Sequence, residues 1–186
     1  MEVVGIYLFA CFYFYLPAAM ANIGANIAKF IPLFKSIKKP IDFGLKINGN
    51  RIIGDHKNLG GFLFGTLFGF GFGIFKTIYL DKLISDQYLL VQIDEKTSIL
   101  LYLIMSFFAL FGDVFKSILK RTLNRDPHSP WIPFDEMDHS VFAMLAASSI
   151  VSISLKDVLT VVMMFIVLHL ASNVIGYLLK IKNVPY

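Results

Sequence analysis

Charge is scarce in this chain. Asp, Glu, Lys and Arg make up 16% of its 186 residues, against roughly a quarter in soluble domains. Hydrophobic residues make up 56%, with 19 phenylalanines, and one domain of this length has too little interior to hide them. A water-soluble globule is excluded, and a bilayer removes the need to hide apolar surface. Cysteine is nearly absent. Cys11 alone permits no intramolecular disulfide; it lies in an apolar run and reads as a small buried hydrophobe. No zinc-type Cys/His spacing occurs. A basic n-region is missing as well, since Met1-Glu2 lead straight into a long apolar run, so the first segment is expected to be retained rather than cleaved. No Ser-His-Asp or Cys-His set is evident. His56, His128 and His139 fall in loops or at helix starts, and His169 stands alone in an apolar run as an expected interhelical donor.

What is present is a series of apolar runs. A spanning helix needs about 20 mostly apolar residues. Segments 3–28, 58–80, 97–121, 139–155 and 158–179 qualify, which predicts an all-α, polytopic membrane protein: a single transmembrane domain over 1–186 with about five spans. The fourth segment is short and contains Ser148, Ser149, Ser152 and Ser154; a tight polar turn at Lys156-Asp157 is expected to follow it. Lys29, Lys35, Lys38, Lys39, Lys46, Arg51 and Lys57 lie in loop 29–57. Lys116, Lys120, Arg121 and Arg125 lie at or near loop 122–138, and Lys180 and Lys182 in the tail. All of these fall on one side of the membrane, so the positive-inside rule predicts an outside N-terminus and a cytoplasmic C-terminus.

The second span carries Gly61, Gly65, Gly69 and Gly73 at every fourth residue. Small residues at this spacing let helix backbones approach closely. The commoner outcome is packing within the chain; the other is a homodimer seam through this face.

The informative polar residues gather at the ends of spans on the basic side, where ionisable groups are costly and therefore functional candidates. The first cluster is Gly54-Asp55-His56-Lys57-Asn58-Leu59-Gly60-Gly61, which reads either as a phosphate cradle at a helix start or as a capped helix with a snorkelling lysine. The second runs from Gly112-Asp113 through Lys116-Ser117 to Lys120-Arg121. Asp113, Lys116, Ser117, Lys120 and Asn124 share one helical face. They suit either a site in which Asp113 meets a lysine or a metal, or an amphipathic extension along the headgroups. The third is Pro130-Trp131-Ile132-Pro133-Phe134-Asp135-Glu136-Met137-Asp138. Asp135 and Asp138 can point the same way, and with Asp113 they would form an oxygen-rich site suited to magnesium. Alternatively they cap a helix and complement its dipole. Asn22 and Asn26, one turn apart in the first span beyond Pro17, either line a polar cavity or bond to neighbouring helices.

Taken in order, these motifs resemble the signatures of CTP-dependent lipid cytidylyltransferases. Ser117-Ile-Leu-Lys120-Arg121 followed by Asp135-Glu-Met-Asp138 is similar to the CDP-diacylglycerol synthase signature. The match is closer to the small archaeal CDP-archaeol synthase family, through Pro17 and Asn22, Pro40-Ile-Asp42-Phe-Gly44, Gly54-Asp55-His56-Lys57-Asn58, Gly112-Asp113 to Lys120-Arg121, and Pro130-Trp131 to Asp138. His56 and Asn58 depart from the Gly and Thr usual in that family. The resemblance implies transfer of a cytidylyl group from CTP to 2,3-di-O-geranylgeranylglycerol 1-phosphate, giving CDP-archaeol and diphosphate. It implies Mg2+ held by Asp113, Asp135 and Asp138. Lys57 and Lys116 would hold the triphosphate, Lys120 and Arg121 a phosphate of CTP or lipid, and Asp55, Asn58 and Asn22 would assist. Membrane lipids are then the partners, with no nucleic acid, and the active site faces the cytoplasm. The same motifs admit phosphatidate as the lipid. Two readings from other classes are a small transporter or channel subunit and an adaptor whose basic loops bind anionic headgroups.

Overall fold

The computed structural model describes residues 2–47, 50–53, 57–125 and 129–180. Five helices form an up-and-down bundle: α1 (Glu2–Ile27), α3 (Leu59–Phe75, continued by a π-helical turn, Lys76–Leu80), α4 (Glu95–Thr122), α5 (Phe134–Ser148) and α6 (Leu155–Leu178). A short helix α2 (Pro32–Lys35) and a two-residue hairpin, β1 (Lys46–Ile47) with β2 (Asn50–Arg51), fill the α1–α3 connection. Four helices, α1, α3 with its π turn, α4 and α6, are long and apolar enough to cross a membrane.

α5, the fourth of the five bundle helices, is shorter than the other four. Its 15 residues reach about 22 Å, short of the roughly 30 Å hydrocarbon core. It begins at Phe134, so Asp135 and Asp138 sit in its first turns rather than in a preceding loop. It stops early because the Ser148 and Ser149 hydroxyls donate to the carbonyls of Leu145 and Ala146, a local bond that competes with helix propagation. The expected turn at Lys156-Asp157 is displaced to 149–154. Asp157 instead completes a capping box with Ser154 that starts α6.

α1 is the hub, packing on α3, α4, α5 and α6. Small side chains make this possible: Cys11 and Ala18 of α1, Ala109 of α4, and Ala143 and Ala147 of α5 are completely buried. The glycine face of α3 is spent inside the chain. A Cβ on Gly69 would lie 2.5 Å from the Pro17 carbonyl oxygen of α1 and 2.6 Å from Ser106 Oγ of α4; one on Gly73 would strike Tyr102 of α4. The stripe is the α1–α3–α4 seam, and this intramolecular use leaves it unavailable as a homodimer seam.

The end of the bundle remote from the basic loops holds a paired polar knot. Lys76 Nζ is 3.0 Å from Asp81 Oδ1 and 4.1 Å above the Tyr13 ring, and Tyr13 donates to the same Asp81 oxygen at 2.7 Å. Between this knot and the basic end lie Ala18, Met105, Ala109 and Met144, all fully buried. That apolar layer argues against a through-path and hence against the transporter reading.

At the basic end the α1–α3 connection is organised by Asp42. Its carboxylate accepts from Arg51 at 2.7 Å, from the Gly44 amide at 3.0 Å and from the Ile53 amide at 2.9 Å. Gly44 has φ +88°, a left-handed conformation that glycine adopts without penalty. Burial pushes the Asp42 carboxyl up, but the Arg51 guanidinium and the two amides outweigh it and bring the value from an ordinary 3.8 to about 2.

Three outcomes are expected. Gly69→Leu lowers Tm in detergent by roughly 5 °C, the usual size of an overpacking penalty in a chain this long. Gly71→Leu leaves Tm unchanged, because a Cβ at Gly71 meets nothing within 4 Å. Because the folded Asp42 pKa is depressed, its stabilisation is complete above the unfolded value and disappears as pH falls through about 2. Hydrogen-exchange protection of the Gly44 and Ile53 amides follows that course in the wild type and is low at every pH in Asp42→Asn.

Candidate active site

Five helices converge toward the basic end: the C-terminal parts of α1, α4 and α6 and the starts of α3 and α5. They enclose an open cavity of about 280 Å³ lined by Asn22, Asn26, Lys57, Asn58, Asp113, Lys116, Asp135, Asp138, His139 and His169, among others.

The carboxylates meet there because α4 and α5 touch. A Cβ on Gly112 would fall 2.5 Å from the Asp138 carbonyl oxygen, so only glycine allows this approach, and the approach sets Asp113 beside Asp138. Helical spacing then brings Lys116 and Lys120 onto the Asp113 face and Asp138 onto the Asp135 face. Lys116 Nζ is at the centre, 2.8 Å from Asp138 Oδ2 and 3.4 Å from both Asp113 Oδ1 and Asp135 Oδ1. Lys57, arriving from the start of α3, pairs with the second oxygen of Asp113. Lys120 backs the site. Its Nζ is 2.8 Å from Asp135 Oδ1 and donates to the Ser129 carbonyl at 2.9 Å. Asp135 also accepts from the Trp131 amide at 2.7 Å. Three carboxylates and three ammonium groups therefore interlock, and the pairing offsets the cost of holding each charge at membrane depth.

The expected residues divide accordingly. Asn22, Lys57, Asn58, Asp113, Lys116, Asp135 and Asp138 line one cavity. Asn58 is also the N-cap of α3, accepting from the Gly61 amide at 2.8 Å, so the capped-helix reading of this cluster is realised within the site. Lys120 holds Asp135 from behind. Arg121 points elsewhere and donates to the Arg51 carbonyl at 3.2 Å, tying the Asp42–Arg51 turn to α4. Asp55 and His56 lie outside the described residues. Sequence reasoning set the histidines aside, yet His139 and His169 are part of the lining, with ring centroids 6.1 Å apart. Buried Tyr15 of α1 holds His139 Nδ1 at 2.9 Å. The one available signal was that His139 directly follows Asp138.

The carboxylate oxygens are the hard donors that magnesium takes. Asp135 Oδ1 and Asp138 Oδ2 are buried with no geometrically sound hydrogen bond, only ion pairs. Among the described residues no three acidic or histidine side chains close to a metal's ligand shell, because the Lys116 ammonium stands between them. The donor set fits a divalent ion, and the spacing is that of carboxylates gathered around an ammonium.

Long apolar helices closing on a charged, open cavity define a polytopic membrane protein with a polar site at one end of its bundle. The family model CarS-like, CDP-archaeol synthase, matches residues 3–186. The chain belongs to that family. It is 32% identical over 188 residues to the CDP-archaeol synthase of Sulfurisphaera tokodaii, covering all of both chains. It is 32% identical to that of Pyrococcus furiosus over 94% of this chain and 96% of the relative, and 30% identical to that of Methanocaldococcus jannaschii over 95% and 96%. A solved structure of an intramembrane enzyme for archaeal membrane lipids biosynthesis shares the fold, with a TM-score of 0.68 at 22% identity, covering 87% of this chain and 90% of that one.

Removing the central cation should be felt as stability. Lys116→Met leaves three crowded carboxylates. Asp113 and Asp135 side chains are 26% and 23% exposed, so solvent screens part of the effect, and a Tm loss of about 5 °C at pH 7 is expected. Adding Asp138→Asn should recover part of that loss in a double-mutant cycle.

Proposed function

We propose that the protein transfers the cytidylyl group of CTP to the phosphate of an archaeal ether lipid, 2,3-di-O-geranylgeranylglycerol 1-phosphate, releasing diphosphate and leaving CDP-archaeol in the membrane. The observation that carries this reading is the gathering of Lys57, Lys116, Asp113, Asp135 and Asp138 around one open cavity at a single end of an apolar bundle.

A lipid phosphate oxygen attacks the α-phosphorus of CTP. The new P–O bond forms as the bond between the α-phosphorus and the bridging oxygen to the β-phosphate breaks, and the diphosphate leaves with that electron pair. The nucleophile is already anionic at neutral pH, so no general base is needed, and the lack of a Ser-His-Asp set in the sequence is no objection. The demand is charge neutralisation at the α-phosphate and on the leaving diphosphate. Lys57 and Lys116 meet it by exchanging carboxylate partners for phosphate oxygens. Asn22 and Asn58 supply neutral hydrogen bonds at the cavity wall. Asp113, Asp135 and Asp138 would hold Mg2+, which when bound polarises phosphoryl oxygens and orients the triphosphate. Lys120 keeps Asp135 in place rather than contacting substrate, and Arg121 holds the Arg51 turn. With basic loops 29–57 and 122–138 inside, the cavity opens to the cytoplasm and the C-terminus is cytoplasmic.

Purified protein given labelled CTP, Mg2+ and the isoprenoid ether-lipid phosphate is expected to form CDP-lipid, more slowly with phosphatidate. Asp113→Asn and Asp138→Asn should each lower kcat/KM by at least about 100-fold, the scale of losing an electrostatic contact to the reacting phosphates. Wild-type protein that makes no CDP-lipid from either substrate would refute the reaction. A C-terminal tag labelled by an impermeant reagent on intact cells would reverse the orientation.

A further inference from the structure

A second cavity, of about 330 Å³, adjoins the first and shares Asn26, Asn58 and Gly61 with it. Its own character is basic: Lys29, Lys35 and Lys38 line it. Lys57, Lys116 and Lys120 are each paired with a carboxylate. By contrast, Lys29, Lys35 and Lys38 form no ion pair among the described residues, and all three are exposed. This pocket also reaches Phe34, and Phe34 begins a third feature. An apolar groove of about 460 Å³ runs down the outer face of α3 past Phe64, Phe68, Gly71, Phe72 and Phe75. From Phe64 to Phe75 the helix rises about 16 Å, half the thickness of the hydrocarbon core. Aromatic stacking lines its upper part, with Phe34–Phe64 and Phe64–Phe68 centroids 4.9 and 5.6 Å apart. Gly71 leaves a gap in the floor, since a Cβ there would meet nothing within 4 Å.

We infer that these features are one binding track for the lipid substrate: the groove on α3 seats an isoprenoid chain, and the Lys29–Lys35–Lys38 pocket holds the lipid phosphate beside the nucleotide cavity. This rests on the cytidylyl-transfer reading, which supplies the phosphate-ended lipid. The order along the track follows the substrate's chemistry. The apolar groove lies in the membrane portion of α3, the unneutralised lysines stand at the interface, and the two asparagine side chains Asn26 and Asn58 mark the junction where nucleophile and CTP would meet. Continuity with the groove favours a lipid phosphate over free phosphate or departing diphosphate, which would have no use for it. Phe34 is the hinge of the track because α2 holds it over α3, where the carbonyls of Phe34 and Ile37 lie within 3 Å of the Cβ position of Gly60.

The test is equilibrium binding of a fluorescent isoprenoid lipid phosphate to the full-length protein in neutral detergent micelles, independent of turnover, with displacement by soluble glycerol phosphate and by diphosphate. Gly71→Leu fills the groove and should raise the lipid Kd on the order of tenfold, with Tm and displacement by glycerol phosphate unchanged. Lys35→Gln/Lys38→Gln should raise the lipid Kd by about the same factor and weaken glycerol phosphate equally. A lipid Kd unchanged in Gly71→Leu overturns the groove assignment. A lysine effect seen only in anionic micelles, or only on diphosphate, overturns the headgroup assignment. If the wild type binds the lipid as described but makes no CDP-lipid, the reaction falls and the binding track stands.

Discussion

The Lys116 ammonium, held among Asp113, Asp135 and Asp138, is the interaction on which the rest of the basic end depends. Three carboxylates within reach of one point repel each other, and solvent in the open cavity screens that repulsion only in part. One lysine in their midst makes the arrangement tenable, and Lys57 and Lys120 complete the neutralisation from either side. Because the bonds are between α4, α5 and the start of α3, the same charges that define the chemistry also fasten three helices together. In the proposed reaction, phosphate oxygens would take the place of carboxylates at the lysines, leaving Asp113, Asp135 and Asp138 to hold a divalent ion.

That lock works only because the helices can come close enough. Gly112 admits the backbone of α5, and the α3 glycines admit α1 and α4. In lipid there is little hydrophobic gain from helix association, so packing of small residues has to supply it. α1 shows the same economy, with Cys11, Ala18 and Ala21 fully buried at the middle of the bundle. The consequence is a division of the molecule along the membrane normal. A paired polar knot at Lys76 closes one end, a mostly apolar layer fills the middle, and the charged cavity opens at the other end. Chemistry on a lipid headgroup fits such a plan, since the reacting phosphate lies at one membrane face while its tails stay in the hydrocarbon.

Much of this was legible beforehand. Long uncharged runs demand a bilayer whatever their fold, and the four long helices follow from them directly. The carboxylates and lysines of the site also announced themselves, because a charge next to a long apolar run is expensive and needs a partner. The fourth segment was read too far along the chain, since hydropathy does not register that Ser148 and Ser149 bond back to their own helix and end it. The capping box at Ser154 and Asp157 was likewise hidden inside what looked like a polar turn. His139 was set aside because its significance comes from Tyr15, a residue 124 positions earlier, and no local pattern links the two.

By itself, then, the order of residues determined that the chain lives in a membrane, which residues had to be paired, and which face of the second span could be approached closely. Hydrophobicity, charge cost and the absence of a side chain are properties of residues and survive without coordinates. Only the tertiary structure decided the pairings: that Lys116 rather than Lys57 takes the centre, that Arg121 holds a turn instead of facing the cavity, and that the glycine stripe is consumed within one chain. These depend on which helix lies beside which. That adjacency is a property of the whole bundle, set by packing between segments far apart in the chain.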